Sequence, residues 1–228
     1  MRPSMIRRLY AQAVFHPTLG WNMMLGRMLK VRNWWDRIDP HVIVGAYPFA
    51  RDVAGLVTQG VRAVVNTCEE YQGPHVEYDR FGIEQLRIPT TDFTHPRLSD
   101  IELAVDFVQQ HVARGDTVYI HCKAGRARSA TVALCWLMRY RAMTMDQAQA
   151  KLLECRPHIN PRLTQRPVVR QFAEKLAAGE SGMAVEPHSL TTQVRPEISV
   201  ETPGKQHPLT ERSNHAHNRA GQPPPTLD

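Results

Sequence analysis

The stretch "VYIHCKAGRARSATVALCWLM", Val118 to Met138, begins as a short apolar strand, passes through small and basic residues, and ends as an almost wholly apolar helix. A strand that turns tightly into a helix N-terminus aims successive backbone N–H groups at one point, which suits an anion. The spacing is not that of a nucleotide-binding loop, because Gly125 is followed by Arg126 and no Lys-Ser/Thr pair occurs. It reads instead His-Cys-x-x-Gly-x-x-Arg-Ser, with His121, Cys122, Gly125, Arg128 and Ser129 in the defined places.

Each of those residue types has a chemical reason to be there. A cysteine facing converging amides, with cations nearby, has its pKa lowered and becomes a thiolate nucleophile. Arg128 offers a planar fork of donors that can hold two phosphoryl oxygens, which a lysine cannot do. Gly125 allows the turn that points the amides inward. The loop Lys123, Ala124, Gly125, Arg126 and Ala127 is the expected substrate cradle, its two cations drawing in an anion. Ser129 is expected to stabilise the thiolate through a hydrogen bond, and His121 to orient the backbone behind Cys122. Cys68, Cys135 and Cys155 read as small core residues.

Around this loop the chain alternates. Residues 42–46, 61–66, 83–88 and 117–121 read as strands. Ser99 with Glu102 looks like a capping box ahead of a helix that Gly115 stops. Further helices are expected over 128–140, from Thr144 with Gln147 through about Cys155, and from a Thr164 cap to Ala178. The pattern predicts an α/β fold with a central, mostly parallel sheet flanked by helices and a phosphate-binding loop between strand and helix.

The formal charge of +6 is localised: Arg2, Arg7, Arg8, Arg27, Lys30 and Arg32 precede Asp36 with no acid among them. A basic terminal segment suits a membrane surface or a targeting sequence and argues against a nucleic-acid partner. Residues 1–35 are therefore read as a membrane-contact or targeting segment, with Trp21, Trp34 and Trp35 as interfacial anchors. No run reaches the ~20 apolar residues of a spanning helix. Residues 36–178 form the expected catalytic domain. The tail over 179–228 lacks aromatics, is rich in proline and is expected to be disordered. The cysteines show no ligand spacing, so a reducing compartment, no metal and no cofactor are expected.

The Cys-x5-Arg loop is the signature of the cysteine-dependent protein tyrosine phosphatase superfamily. The wider chain resembles its dual-specificity branch, specifically the mitochondrial-type phosphatases acting on phosphatidylglycerophosphate, through "FHPTLGW", "WWDRIDPHVIVGAYP", "VVNTCEEYQGP", "LRIPTTDFT", "HCKAGRARSAT" and "CRPHINPRLTQRP". The likeness covers about 160 residues. It implies a dual-specificity-phosphatase-like fold, a phospholipid substrate at a membrane surface, and a second active-site loop carrying Glu69, Glu70 and Tyr71. Gln72 stands where the family has a further acid, which leaves that loop's contacts open. Residue chemistry alone leaves Asp92, Glu69, Glu70 and Asp100 as candidates for the general acid; the resemblance implies Asp92. It also implies a peripheral enzyme on the reducing side of a membrane, the mitochondrial inner membrane or the cytoplasmic face of a bacterial one. Two alternatives stay open: a phosphoprotein or phosphoinositide phosphatase, and a non-catalytic phosphate-binding module, although a pure reader could dispense with the nucleophile.

Overall fold

The computed structural model describes residues 31–179 without a break, together with residues 17, 20, 21, 23, 24, 28 and 29. Most of the basic segment over 1–35 and all but the first residue of the tail over 179–228 lie outside the described residues. The sheet contains β1 (Trp35–Asp39), β2 (Val42–Gly45), β3 (Val61–Cys68), β4 (Glu84–Thr90) and β5 (Thr117–His121), in the order β1-β2-β5-β3-β4. β1 runs antiparallel to β2, and every other neighbouring pair is parallel.

Strand periodicity assigns the two faces of the sheet. Val42 and Val44, Ala63 and Val65, and Val118 and Ile120 join the larger core. The alternate residues Ile43, Val64 and Tyr119 join the smaller one. The larger core is closed by α3 (Leu98–Ala113), α4 (Arg128–Tyr140), α5 (Met145–Cys155) and α6 (Pro167–Ala177); α1 (Ala50–Thr58) and α2 (His75–Phe81) cover the other face. Arg128 to Met138 of α4 are all buried, as expected of a helix apolar on every side that runs through the centre of a domain.

Three local readings change. α3 opens at Leu98 after an Arg97 cap, so Ser99 lies inside the first turn. No side chain caps this terminus; Arg97 instead donates two hydrogen bonds of 2.8 and 2.9 Å to the Asp100 carboxylate. Thr164 falls within a short 3₁₀ turn, Leu163–Gln165, and α6 starts at Pro167, whose missing N–H costs nothing in a first turn. Trp34 is not an exposed anchor: it is buried, stacks on Phe49 and donates from Nε1 to the Tyr47 carbonyl at 2.8 Å. Trp35 begins β1 and meets Tyr119 edge-on. Both tryptophans belong to the folded body. Trp21, by contrast, is exposed.

The capping box at α5 is present: Gln147 N donates to Thr144 Oγ1 at 3.2 Å and Thr144 N donates to Gln147 Oε1 at 2.8 Å. Thr144→Ala should therefore destabilise the domain by about 1 kcal/mol in urea titration without changing activity on a soluble aryl phosphate. An unchanged denaturation midpoint would show that the box contributes nothing.

Candidate active site

The three central strands end together. β5 pairs Gly45 of β2 and Asn66 of β3 on either side of His121, and Cys122 follows at the carboxyl edge of the sheet, where ligands of open α/β sheets bind. From Cys122 to Arg128 the chain turns into α4. Gly125 makes this turn possible in two ways. Its φ is +63°, and an added Cβ would lie 2.5 Å from the Gly45 carbonyl carbon and 2.8 Å from Arg156 Nη2.

Inward-facing amides require that the loop carbonyls be satisfied elsewhere. Arg156, almost fully buried, supplies that on the reverse side: Nε donates to the Gly125 carbonyl at 2.8 Å and Nη2 to the Ala124 carbonyl at 3.2 Å. Its remaining donors reach the carbonyls of Asn33 and Trp34 and the Asp36 carboxylate. Ala127 accepts from both N and Oγ1 of Thr131 through its carbonyl, and the Arg126 carbonyl accepts from Asn160 N. Neither Arg156 nor Asn66 was among the expected site residues. Asn66 folds the second loop, donating to the Tyr71 carbonyl at 2.8 Å and accepting from Cys68 N at 2.9 Å. Arg156 does lie within the "CRPHINP" stretch, yet nothing in its spacing distinguishes a buried arginine from a solvated one.

Cys122 is buried, and Ser129 Oγ donates to its Sγ at 3.3 Å. Burial pushes the thiol up, but the Arg128 charge, the hydroxyl and amide of Ser129 and the amide of Ala124 outweigh it, lowering the pKa from 9.0 to about 7. Burial alone raises the Cys135 thiol, and it dominates over Arg128 at Cys68, which is raised too. All four cysteines are free thiols. His121 sits beneath, stacked on Tyr119 and edge-on to Tyr71, with neither ring nitrogen in a hydrogen bond. Its burial lowers its pKa to about 3, so it is neutral at ordinary pH and cannot act as a cationic partner for the thiolate.

Arg128 gathers the remaining groups. Nη1 donates to Glu70 Oε2 at 2.8 Å and to the Thr90 carbonyl at 2.7 Å, while Nη2 lies 3.1 Å from Asp92 Oδ1. That last contact is close enough for an ion pair but misaligned for a hydrogen bond, so Nη2 is a buried donor without a hydrogen-bond acceptor. Burial opposes the Arg128 charge, but the sulfurs of Cys68 and Cys122 and the carboxylates of Asp92 and Glu70 outweigh it and raise the pKa. Lys123 Nζ pairs with Asp92 Oδ2, and Asp92 N donates to Glu70 Oε1 at 3.0 Å.

Of the expected residues, Cys122, Lys123, Arg128, Ser129, Glu70 and Asp92 therefore converge. Glu69 instead accepts from Thr91 Oγ1, and the Tyr71 hydroxyl donates to the Pro48 carbonyl at 2.6 Å while its ring stacks on Tyr47, so both brace the second loop. Arg126 turns outward, with Nε on the His158 carbonyl at 2.7 Å. Asp100 pairs with Arg97 at the start of α3 and does not join the cluster.

Residues 42–175 match the family model of the dual-specificity phosphatase catalytic domain. The chain belongs to the dual-specificity phosphatase family. It is a cysteine-dependent phosphatase. A phosphatidylglycerophosphate phosphatase of Arabidopsis thaliana is 39% identical over 163 residues, 70% of this chain and 72% of that protein. The human phosphatidylglycerophosphatase and protein-tyrosine phosphatase 1 is 34% identical over 177 residues, 74% of this chain and 88% of that protein. The crystal structure of PTPMT1 in complex with PI(5)P superposes with a TM-score of 0.60 at 30% identity, over 65% of this chain and 99% of that one.

The thiol environments predict selective chemistry. Iodoacetate should alkylate Cys122 at a rate that rises through its half-maximum at about pH 7, because lowering the pKa increases the thiolate fraction near neutrality. Peptide mapping should show Cys68 and Cys135 unmodified under the same conditions; comparable labelling of either would contradict the assignment.

Proposed function

We propose that this phosphatase removes the terminal phosphate of phosphatidylglycerophosphate, with Cys122 as nucleophile, Arg128 as phosphoryl clamp and Asp92 as general acid. The observation that carries the residue roles is the convergence of Cys122 Sγ, the Arg128 fork and the Asp92 carboxylate around one loop of inward amides. The substrate choice is supported by the names of the relatives from Arabidopsis thaliana and Homo sapiens.

In the first step the Cys122 thiolate attacks phosphorus in line with the glycerol oxygen. A new S–P bond forms as the P–O bond breaks, and Asp92 gives its proton to the departing oxygen. The bound phosphoryl oxygens take the free donor capacity of Arg128 Nη2 and draw it from Asp92, while Glu70 and the Thr90 carbonyl keep the other side of the fork in place. The loop amides of 123–128 stabilise the equatorial oxygens. In the second step water attacks phosphorus, the Asp92 carboxylate takes its proton, and the S–P bond breaks. The thiolate that leaves is received by the Ser129 hydroxyl. His121, neutral and packed between aromatic rings, holds the backbone behind the nucleophile.

The enzyme is read as peripheral on a membrane, at the mitochondrial inner membrane or the cytoplasmic face of a bacterial one, with the basic N-terminal segment as its contact. Among the described residues no helix is long and apolar enough to cross a membrane. A phosphoinositide is the second reading, favoured by the PTPMT1 complex with PI(5)P and by the two loop cations Lys123 and Arg126.

If Asp92 donates the proton, Asp92→Asn should cost more as the leaving oxygen becomes more basic. Activity on phosphatidylglycerophosphate should fall by ~10²- to 10⁴-fold, and activity on an activated aryl phosphate far less. Arg128→Lys should depress both substrates together. A loss for Asp92→Asn that is independent of the leaving group would make Asp92 a loop-positioning residue.

A further inference from the structure

Arg126 is a cradle side chain that turns outward, away from the cluster around Cys122. Its Nε is held by the His158 carbonyl, which leaves both Nη groups at an exposed rim with no hydrogen bond among the described residues. His158 also lines a cavity of about 340 Å³ together with Arg32, Asn33, Asp36 and Pro157. Arg126 therefore links the phosphate loop directly to the wall of this second cavity.

The charges around that cavity do not balance. Its carboxylate, Asp36, is bound to Arg156, whose other donors are spent on backbone carbonyls. Arg32 makes no ion pair among the described residues, and its charge acts on both Arg126 and His158. Burial, followed by Arg156 and Arg32, lowers the His158 pKa to about 4, so the imidazole adds a neutral polar group and no charge. Arg32 on the cavity wall and Arg126 at its margin are near enough for their charges to act on each other, and neither is in an ion pair among the described residues. Planar guanidinium forks are matched to tetrahedral oxyanions. The nearby Asp36 carboxylate makes a singly charged anion a better occupant than a dianion, because like charges in a partly buried site repel.

We propose that this cavity is a second anion subsite, in which Arg32 on its wall and Arg126 at its margin hold the phosphodiester of the same lipid headgroup whose terminal monoester lies over Cys122. The proposal rests on the phospholipid reading above and deepens it. A phosphatidylglycerophosphate molecule carries one dianionic monoester and one monoanionic diester separated by a single glycerol unit. Arg126 is four residues from Cys122 in the same loop and within electrostatic reach of it, which is what the proposal requires of a short headgroup spanning the two positions. The subsite would then distinguish a phospholipid from a simple phosphomonoester before any acyl chain is involved.

The test uses the purified full chain and Arg32, which is partly exposed and takes no part in the chemistry. Two water-soluble substrates are compared: deacylated phosphatidylglycerophosphate, which carries monoester and diester, and glycerol phosphate, which carries the monoester alone. Arg32→Ala should raise KM for the deacylated headgroup by about tenfold more than for glycerol phosphate, the loss expected for one charge-assisted contact. Arg32→Lys should recover part of it. Glycerophosphoglycerol, a diester with no monoester, should inhibit aryl phosphate hydrolysis by the parent and inhibit Arg32→Ala at least several times more weakly. Equal losses on both soluble substrates, or equal inhibition of the two proteins, would overturn the subsite. A defect seen only with anionic vesicles and not with the soluble headgroup would place a neighbouring lipid's phosphate there and overturn the assignment to the substrate's own diester. If the parent hydrolyses neither the lipid nor its headgroup, the proposed function fails, and the glycerophosphoglycerol comparison still decides the subsite.

Discussion

A loop can aim its amides at a phosphate only if its carbonyls find donors on the opposite side. Arg156 meets that constraint here, spending one guanidinium on the carbonyls of Ala124 and Gly125 and on the chain at Asn33, Trp34 and Asp36. The arrangement ties three distant pieces of sequence together: the segment entering β1, the phosphate loop and the end of α5. Burying an arginine is costly unless its donors are satisfied, and the ion pair with Asp36 together with the carbonyls fulfils that condition. Gly125 belongs to the same device, since a side chain there would strike both the Gly45 backbone and Arg156 Nη2.

With the loop so fixed, the electrostatics of the site centre on Arg128. Its positive charge is the largest influence opposing burial at Cys122, and it is held in turn by Glu70, Asp92 and the Thr90 carbonyl. The fork is thus pre-oriented before substrate arrives, and part of its donor capacity is uncommitted. The orphan donor, the lowered thiol and the convergent amides all favour the same occupant, a tetrahedral oxyanion over Cys122.

Most of this was readable where chemistry and spacing coincide. The strand–loop–helix junction, the parallel sheet and the Thr144 cap follow from local pattern, and Cys122, Arg128 and Ser129 stand together because consecutive backbone geometry places them. The choice of Asp92 as the proposed general acid rests on the family resemblance, since a Thr-rich loop offers an equally good structural use for an aspartate. The readings failed where tertiary contacts decide. β1 carries charges at Asp36, Arg37 and Asp39, which mask any strand alternation, and it pairs with β2. α1 and α2 are short and were not anticipated, and they gain their stability from packing on the smaller core. Arg156 and Asn66 act through backbone carbonyls far away in sequence, and no spacing encodes that.

The central claim is that turnover passes through a covalent phosphate on Cys122, and trapping that species tests it most directly. Acid-quenching Asp92→Asn during steady hydrolysis of an activated aryl phosphate, followed by mass spectrometry of the peptides, should reveal one phosphoryl group on the peptide containing Cys122. The adduct is expected to accumulate because the variant lacks the base that activates water for the second step. A phosphoryl group on another residue, or quenched enzyme that turns over while carrying none, would contradict the account.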